Sequence, residues 1–379
     1  MRETSASRQA AWRALVALVA ATLRDEPCPS SVLDGVSRVD ERSLVRLAQQ
    51  HGVGALSAEA LRGAGRPVPV ALSGEVVQGA ARHLRALDDL DRVRSALDGA
   101  AVPWLVAKGP VLAPTWFGHP FLRAYDDVDV YVTPADFGTA VRSLVEVGGV
   151  VADTDDFLRR VVPGEVRIVL APDAAVDLHW QPFFYRVHAR RFPVGVAEML
   201  SRAREWRAAD DREVLIPSTT DGLVHLCLHA AISGGDRLSW LVDIDRYLTS
   251  WPVEPADLRV AIGRWQAGAA VALMLARADT VLGSAPARRL LHGLPLSRRI
   301  TAAGTERWRG PQQPIGPVRT AAARSAGATL SSSVGWAARA GLRRVVPTLQ
   351  ARRATPPLPP GDYFASVAAL GGGNSSASS

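Results

Sequence analysis

Apolar and polar residues alternate in several short segments near the middle of the chain, and this alternation predicts β-strands. Successive side chains of a strand point to opposite faces of a sheet, so one face can be buried while the other carries polar groups. The predicted strands are Val102–Ala107, Asp127–Val132, Val150–Ala152, Glu165–Leu170 and Ala175–Trp180.

Longer segments on both sides carry apolar residues at helical spacing. Near the N-terminus, Trp12, Leu15, Val19 and Leu23 predict an amphipathic helix. The apolar run there is too short to cross a membrane, and Arg13 interrupts it, which argues against a signal peptide. Further helices are predicted over Ser43–His51, Leu56–Leu61 and Glu75–Leu97, from Thr133 to about Val147, and through most of residues 186–300.

Three aspartates lie where the predicted strands bring them to one face of a sheet. Asp127 and Asp129 share one face of their strand, and Asp177 and His179 share one face of a later strand. Adjacent carboxylates repel each other unless a cation lies between them. Three such carboxylates are typical of two Mg²⁺ ions in phosphoryl or nucleotidyl transfer, with Mn²⁺ as an alternative, and the third can also take the acceptor's proton. The competing interpretation is three unrelated carboxylates at strand ends.

Lys108 is the only lysine among the 44 Lys and Arg residues of the chain. It precedes Gly109 and Pro110, where the sequence predicts a turn followed by a short helix. A compact ammonium beside a helix N-terminus suits a phosphate group, so we expect Lys108 at the phosphates of a nucleotide. The competing interpretation is a surface lysine without a role.

The composition indicates a globular protein of 379 residues, with 47% hydrophobic and 21% charged residues and a net charge of +7. The positive charge favours acidic partners such as nucleotides. Two cysteines, Cys28 and Cys227, do not make a disulfide framework and favour a cytoplasmic location. The expected organisation is a helical region (1–74), a core (75–185), a helical domain (186–300) and a basic, Pro/Gly/Ser-rich, poorly ordered tail (301–379).

Further chemistry-bearing residues lie in the predicted helices of the second half. His225 and His229 are one helical turn apart, a spacing that can bind zinc. No Glu follows His225 as the metalloprotease motif requires, so packing against the core is favoured. Asp243 is expected to face the sheet. The basic tail can bind nucleic acid or anionic surfaces, but no motif for specific nucleic-acid recognition occurs, and a poorly ordered tail is favoured.

Taken together, these motifs resemble the uncharacterised bacterial nucleotidyltransferase family (family 5-like) of the DNA polymerase β superfamily. The resemblance implies an α+β fold, in which a mixed-sheet, polymerase β-like core is flanked by N-terminal and C-terminal helical regions. The segments that carry the resemblance are Ala107–Gly109, Arg123–Asp129, Val176–Trp180, Asp221–Ala231 and Leu238–Asp245.

The same resemblance implies roles for individual residues. Asp127, Asp129 and Asp177 would be the catalytic metal ligands. One group would lie at the nucleotide: Lys108, Gly109 and Arg123. Independently of the resemblance, four further residues are expected around the carboxylates: His179, His225, His229 and Asp243. The turn departs from the superfamily's usual Gly-Ser or Gly-Gly pair, because Pro110 removes one backbone N–H that could bind a phosphate.

Three functions agree with this sequence. The favoured one is a Mg²⁺-dependent nucleotidyltransferase that moves a nucleoside monophosphate from an NTP to an unknown small-molecule, peptide or protein acceptor. The second is a tailoring enzyme of a peptide or natural-product pathway that uses another nucleotide donor, such as a nucleotide sugar. The third is a nucleotide- or RNA-binding protein without turnover. Nucleic acid is not the favoured partner, and no membrane span is predicted.

Overall fold

The structure is a computed structural model that describes residues 5–24, 28–116, 118–152, 164–171, 174–183, 188, 191–207, 213–300 and 302. The basic tail predicted over 301–379 lies outside these residues, apart from position 302. The strands are β1 (Trp104–Val106), β2 (Val128–Val132), β3 (Val150–Val151), β4 (Glu165–Ala171), β5 (Ala174–His179), β6 (Arg204–Arg207) and β7 (Glu213–Ile216).

Helices precede, interrupt and follow these strands. Their bounds are α1 (Ser5–Thr22), α2 (Ser30–Ser37), α3 (Glu41–Gln50), α4 (Gly54–Gly63), α5 (Val70–Gly99), α6 (Phe137–Glu146), α7 (Val196–Ser201), α8 (Thr219–Ile232), α9 (Leu238–Ser250), α10 (Pro255–Arg264), α11 (Gly268–Leu282) and α12 (Ala285–His292). Within the described residues, none of these helices combines the length and the apolar composition that crossing a membrane requires.

Five strands form one mixed sheet in the order β1-β2-β5-β4-β3. Strands β2 and β5 run parallel, and each of the other neighbouring pairs runs antiparallel. The sheet confirms the predicted α+β class, and its strands lie within one or two residues of their predicted positions. The central parallel pair matters most, because it carries the aspartates.

The two faces of the sheet differ as the alternation predicts. One face is apolar and packs against α5 and α6, with Val130 and Leu178 at its centre and Leu90 and Phe137 among the helix residues. The opposite face carries the polar residues of the same strands and is covered by α8. Burying the valine face anchors β2 and β5 firmly, since apolar area removed from water is the main stabilising contribution in folding.

The helices before and after the sheet share one hydrophobic core. Leu15 of α1 and Leu56 of α4 belong to the same buried cluster as Val224 of α8, Ile244 of α9 and Trp265 after α10. The regions 1–74 and 186–300, which the sequence analysis treats separately, therefore pack together on the polar side of the sheet.

Two local predictions are wrong in detail. Instead of a helix opened by Pro110, the chain makes two short 3₁₀ turns, Gly109–Val111 and Ala113–Thr115. Pro114 has no N–H to continue an α-helix from Pro110, which explains the change. The helix predicted to start at Thr133 begins at Phe137, because Thr133 Oγ1 instead closes a turn by donating to Asp136 Oδ2 at 2.7 Å.

Two further differences concern surface positions. Leu84, which falls at the helical spacing of the apolar residues in α5, is nevertheless 64% exposed. Within the region predicted as helical, β6 and β7 form an antiparallel hairpin. In β7 exposed and buried residues alternate, but its sequence Glu-Val-Leu-Ile does not alternate polar and apolar residues, so periodicity gave no strand signal there.

Candidate active site

Two rows of side chains cross the polar face of the sheet. Their order follows from the register, which pairs Asp129 with Asp177 across the parallel strands and Asp177 with Arg167 across the antiparallel ones. The neighbouring row is Tyr131, His179 and Glu165. Side chains at paired positions lie close together on one face, so the register alone builds a polar cluster.

Asp129 lies at the centre of this cluster and is 4% exposed. Its Oδ1 is 2.8 Å from Lys108 Nζ and 3.2 Å from His179 Nε2. Burial alone would raise the pKa of Asp129, but Lys108 and His179 together hold it well below its usual range. Asp129 is therefore an ionised carboxylate held between two cations.

His179 is the second of these cations. Its ring stacks on Tyr131 with centroids 4.4 Å apart, and its Nδ1 lies 2.9 Å from Glu165 Oε2. Burial opposes protonation, but Glu165 and Asp129 raise the pKa of His179 to about 10. His179 is thus a protonated imidazole between two carboxylates, which fixes the orientation of Asp129.

Asp127 and Asp177 form a different pair at the end of the cluster. Burial and the neighbouring Asp129 raise the pKa of Asp127. Burial and Asp127 raise the pKa of Asp177 to about 8. Arg167 Nη1 lies 3.5 Å from Asp177 Oδ1, which is long for a hydrogen bond. Unlike Asp129, this pair is not held fully ionised by its surroundings, which favour a proton on one of the two carboxylates.

Lys108 is not a surface lysine, since its side chain is 14% exposed and its Nζ also lies 3.3 Å from His229 Nδ1. Burial would lower the pKa of Lys108, but Asp129 and Asp127 raise it. Gly109 follows with φ +50°, and a Cβ there would lie 2.8 Å from the carbonyl oxygen of Asp127. Only glycine therefore lets the turn approach the aspartate strand this closely.

Helix α8 closes the polar face with its two histidines. His225 Nε2 lies 3.2 Å from the Tyr131 hydroxyl, while His229 contacts Lys108. Burial, followed by the charge of Lys108, lowers the pKa of His225 to about 3 and holds that of His229 well below its usual range. The two neutral imidazoles contact the core, as the packing interpretation expects.

Arg123 and Asp243 join the core to α9. Arg123 donates from Nε to Asp243 Oδ1 at 2.7 Å and from Nη2 to Oδ2 at 2.9 Å, and Trp116 Nε1 donates to Oδ1 at 2.9 Å. Asp243 therefore faces the core, as predicted. Asp126, which precedes Asp127, is exposed and pairs with Arg82 at 3.4 Å.

The model of a family described as an uncharacterised nucleotidyltransferase matches residues 37–283. The chain belongs to this family. A comparison with curated proteins finds no match. The matched segment contains the sheet, the aspartates and α8.

Sequence reasoning missed three residues of this polar cluster. Glu165 and Arg167 occupy alternate positions of β4, and Tyr131 is the next polar residue after Asp129 on the same face of β2. The Glu-Val-Arg alternation was visible in the sequence. Its register against β5 was not, and the register decides that Glu165 meets His179 and Arg167 meets Asp177.

The donor set partly fits Mg²⁺. Asp127 and Asp177 supply hard oxygen ligands whose mutual repulsion a divalent cation would relieve. Asp177 Oδ1 is buried and makes no hydrogen bond within the described part of the chain. Asp129 Oδ1 already binds Lys108 and His179. Among the described residues, no group of three or more His, Cys, Asp or Glu side chains is arranged so that it could hold a metal ion.

Proposed function

We propose that this nucleotidyltransferase moves a nucleoside monophosphate from an NTP to a hydroxyl or phosphate group of its acceptor, with Asp127, Asp129 and Asp177 holding Mg²⁺. The observation that carries the proposal is the register of β2 and β5. It sets Asp129 opposite Asp177 on parallel strands, with Asp127 immediately before β2. A carboxylate cluster of this kind has no evident use in folding, because like charges destabilise each other.

In this reaction an acceptor oxygen attacks the α-phosphorus and forms a new P–O bond. The bond from the α-phosphorus to the bridging oxygen breaks, and pyrophosphate leaves. The proton of an acceptor hydroxyl passes to Asp177. Bound Mg²⁺ would offset the charge that develops on the phosphate oxygens and activate the attacking oxygen.

The chain's own residues supply orientation. Lys108 and His179 keep Asp129 ionised and fix its direction, so that its remaining lone pairs are preorganised. Tyr131 holds the His179 ring by stacking and is itself held by His225. This chain of contacts, from α8 to the aspartates, makes α8 part of the site rather than only a cover.

A cavity of about 560 Å³ is the best candidate for the donor nucleotide. It lies between α5 and α9, and Arg123, Arg237 and Trp240 are among its lining residues. Arg123 Nη1 is buried and has no hydrogen-bond partner among the described residues. An aromatic ring can stack on a base, and arginines can bind phosphates. The predicted nucleotide role of Arg123 agrees with this position.

The test is thermal unfolding of the full chain with Mg²⁺ and each NTP, compared with Mg²⁺ alone. Ligand at about a hundred times its Kd stabilises the folded state by roughly 2.7 kcal/mol, which raises the midpoint visibly. We expect a Mg²⁺-dependent rise that Asp127→Asn and Asp129→Asn lose. Each variant is compared with its own ligand-free midpoint, since the substitutions also change stability.

Asp257→Asn is the matched control, because Asp257 is an exposed aspartate of α10 that lines neither cavity. It should keep the full rise. A rise that survives in Asp127→Asn and Asp129→Asn would refute the assignment of these carboxylates. A rise with a nucleotide sugar but with no NTP would favour the tailoring enzyme with another donor.

One observation favours a second candidate, a nucleotide-binding protein without turnover. Asp129 Oδ1 is already bonded to two cationic groups, Lys108 and His179. In this case the ammonium of Lys108 would take over the neutralising role of a metal ion. NTP would then raise the midpoint equally with and without Mg²⁺, and no pyrophosphate would form with any acceptor.

A further inference from the structure

The middle of α5 presents a polar stripe beside the sheet. Gln78, Arg82, Arg85 and Asp89 recur at helical spacing and line a cavity of about 450 Å³. Ala86 and Leu90, on a neighbouring side of the same helix, pack in the apolar core of the sheet. The helix therefore packs on the sheet and lines a polar cavity along the same stretch.

Asp89 is the least expected member of this stripe. It is 2% exposed, and its Oδ2 makes no hydrogen bond in the described part of the chain. Burial raises the pKa of Asp89. A buried carboxylate oxygen without a partner costs free energy and therefore calls for a ligand that donates a hydrogen bond. The cavity that Asp89 lines provides the space for such a ligand.

The same cavity is lined by three arginines, Arg82 and Arg85 from α5 and Arg167 from β4. Arg82 pairs with the exposed Asp126 at 3.4 Å, and Arg167 pairs with Asp177 at 3.5 Å. The Arg82–Asp126 distance is long, and a solvent-exposed pair of this kind contributes little stability. An anionic group that enters the cavity can therefore replace this pair at small cost.

Asp127 also lines this cavity, so one end of the cavity lies at the proposed catalytic carboxylates. We propose that this cavity binds the acceptor, and that the acceptor is a small hydroxylated molecule carrying a phosphate or a carboxylate. The inference rests on the proposed function, because it assigns the second substrate of the same reaction. The arginines bind the anionic group, and Asp89 accepts a hydrogen bond from a hydroxyl.

Size and charge favour the acceptor over the donor in this cavity. Its volume lies near the lower end of small-molecule sites, which span about 300–1,000 Å³. Its lining pairs arginines with carboxylates, which suits a ligand that offers both an anion and hydroxyl donors. A triphosphate would bring more negative charge close to Asp89 and Asp127 than a single phosphate or carboxylate does.

The test is titration calorimetry of the full chain, without nucleotide or Mg²⁺, with three probes: glycerol 3-phosphate, glycerate and inorganic phosphate. We expect glycerol 3-phosphate or glycerate to bind. The probe that binds shows whether the cavity takes a phosphate or a carboxylate.

Arg85→Gln and Arg82→Gln should each weaken the binding roughly tenfold. Asp89→Asn should weaken the hydroxylated probes but not inorganic phosphate. Arg94→Gln is the control, because Arg94 pairs with Asp91 on α5 and does not line the cavity.

Two outcomes would overturn the proposal. One is that neither hydroxylated probe binds, or that Arg85→Gln and Arg82→Gln bind them as the unchanged protein does. The other is that Arg85→Gln loses the NTP-dependent rise in unfolding temperature, which would assign Arg85 to the donor. Arg82 also lines the donor cavity of about 560 Å³, so Arg82→Gln is used only for probe binding. The probes are titrated without nucleotide, so calorimetry tests only whether the cavity binds them. The proposed transfer reaction is tested by the unfolding experiment with NTP, and the two proposals can therefore fail independently.

Discussion

Lys108 Nζ and Asp129 Oδ1, 2.8 Å apart, join the turn after β1 to the centre of β2 in a buried ion pair. The pair belongs both to the fold and to the site, because it holds the turn against the strand and keeps Asp129 ionised. Removing one partner of a buried pair leaves an uncompensated charge, whereas removing both does not.

We therefore expect Asp129→Asn to lower the free energy of unfolding by about 3–5 kcal/mol. The double variant Lys108→Met with Asp129→Asn should recover part of this loss, since it no longer buries an unpaired ammonium. Urea unfolding of both variants measures the difference. A double variant that is as unstable as the sum of its single changes would show that the two residues are not coupled.

The central part of this arrangement follows from the sequence. Alternation in β2 and β5 predicts which residues share the polar face, and Asp127, Asp129, Asp177 and His179 all lie there. A period of two in the sequence is enough to assign each residue to a face, because a strand has only two faces. The sheet class and the helical flanks were likewise predicted, the latter from helical spacing.

The pairings across the molecule could not be predicted in the same way. Lys108 meets His229, 121 residues later, and Arg123 meets Asp243, 120 residues later. Such contacts depend on how α8 and α9 pack on the sheet, and no local pattern encodes that. The structure pairs Lys108 with Asp129, and the phosphate contact expected for Lys108 stays a prediction.

Gly109 offers a test of the close approach between the turn and the strand. Gly109→Ala forces a side chain into positive φ and against the carbonyl of Asp127. We expect a loss of about 1–3 kcal/mol in unfolding free energy and a weaker NTP-dependent rise in the midpoint, because Asp127 must move.

Gly35→Ala is the matched control for this change. Gly35 lies inside α2, and a Cβ there meets no atom within 4 Å. Alanine favours helix more than glycine does, so this variant should be as stable as the unchanged protein or slightly more so. Equal losses in the two variants would contradict the role given to Gly109.

The bidentate pair between Arg123 and Asp243 should contribute strongly to stability. Asp243→Asn leaves the buried guanidinium without its countercharge, and we expect a loss of about 3–5 kcal/mol. Asp279→Asn is the control, since Asp279 pairs with a half-exposed Arg288 on the surface. It should cost at most about 1 kcal/mol. Denaturant unfolding of both variants, with unchanged slopes, provides the comparison.

His51 gives the fold a predictable dependence on pH. It follows α3, accepts a hydrogen bond from the backbone N–H of Leu238 at its Nδ1 (3.4 Å), and packs on the Trp12 ring at 4.6 Å. Burial, with a smaller contribution from Arg237, lowers the pKa of His51 to about 4. In the unfolded chain the ordinary value is about 6.5.

Between these two values the unfolded chain binds a proton at His51 that the folded protein does not. Stability should therefore fall as the pH is lowered from about 6.5, and the loss is complete below about pH 4, on the order of 3 kcal/mol. His51→Gln removes this titration. As the pH is lowered from 7 to 4, the unchanged protein should thus lose more unfolding free energy than His51→Gln does. A difference that stays constant over this range would mean that His51 is protonated equally in both states, contrary to its burial.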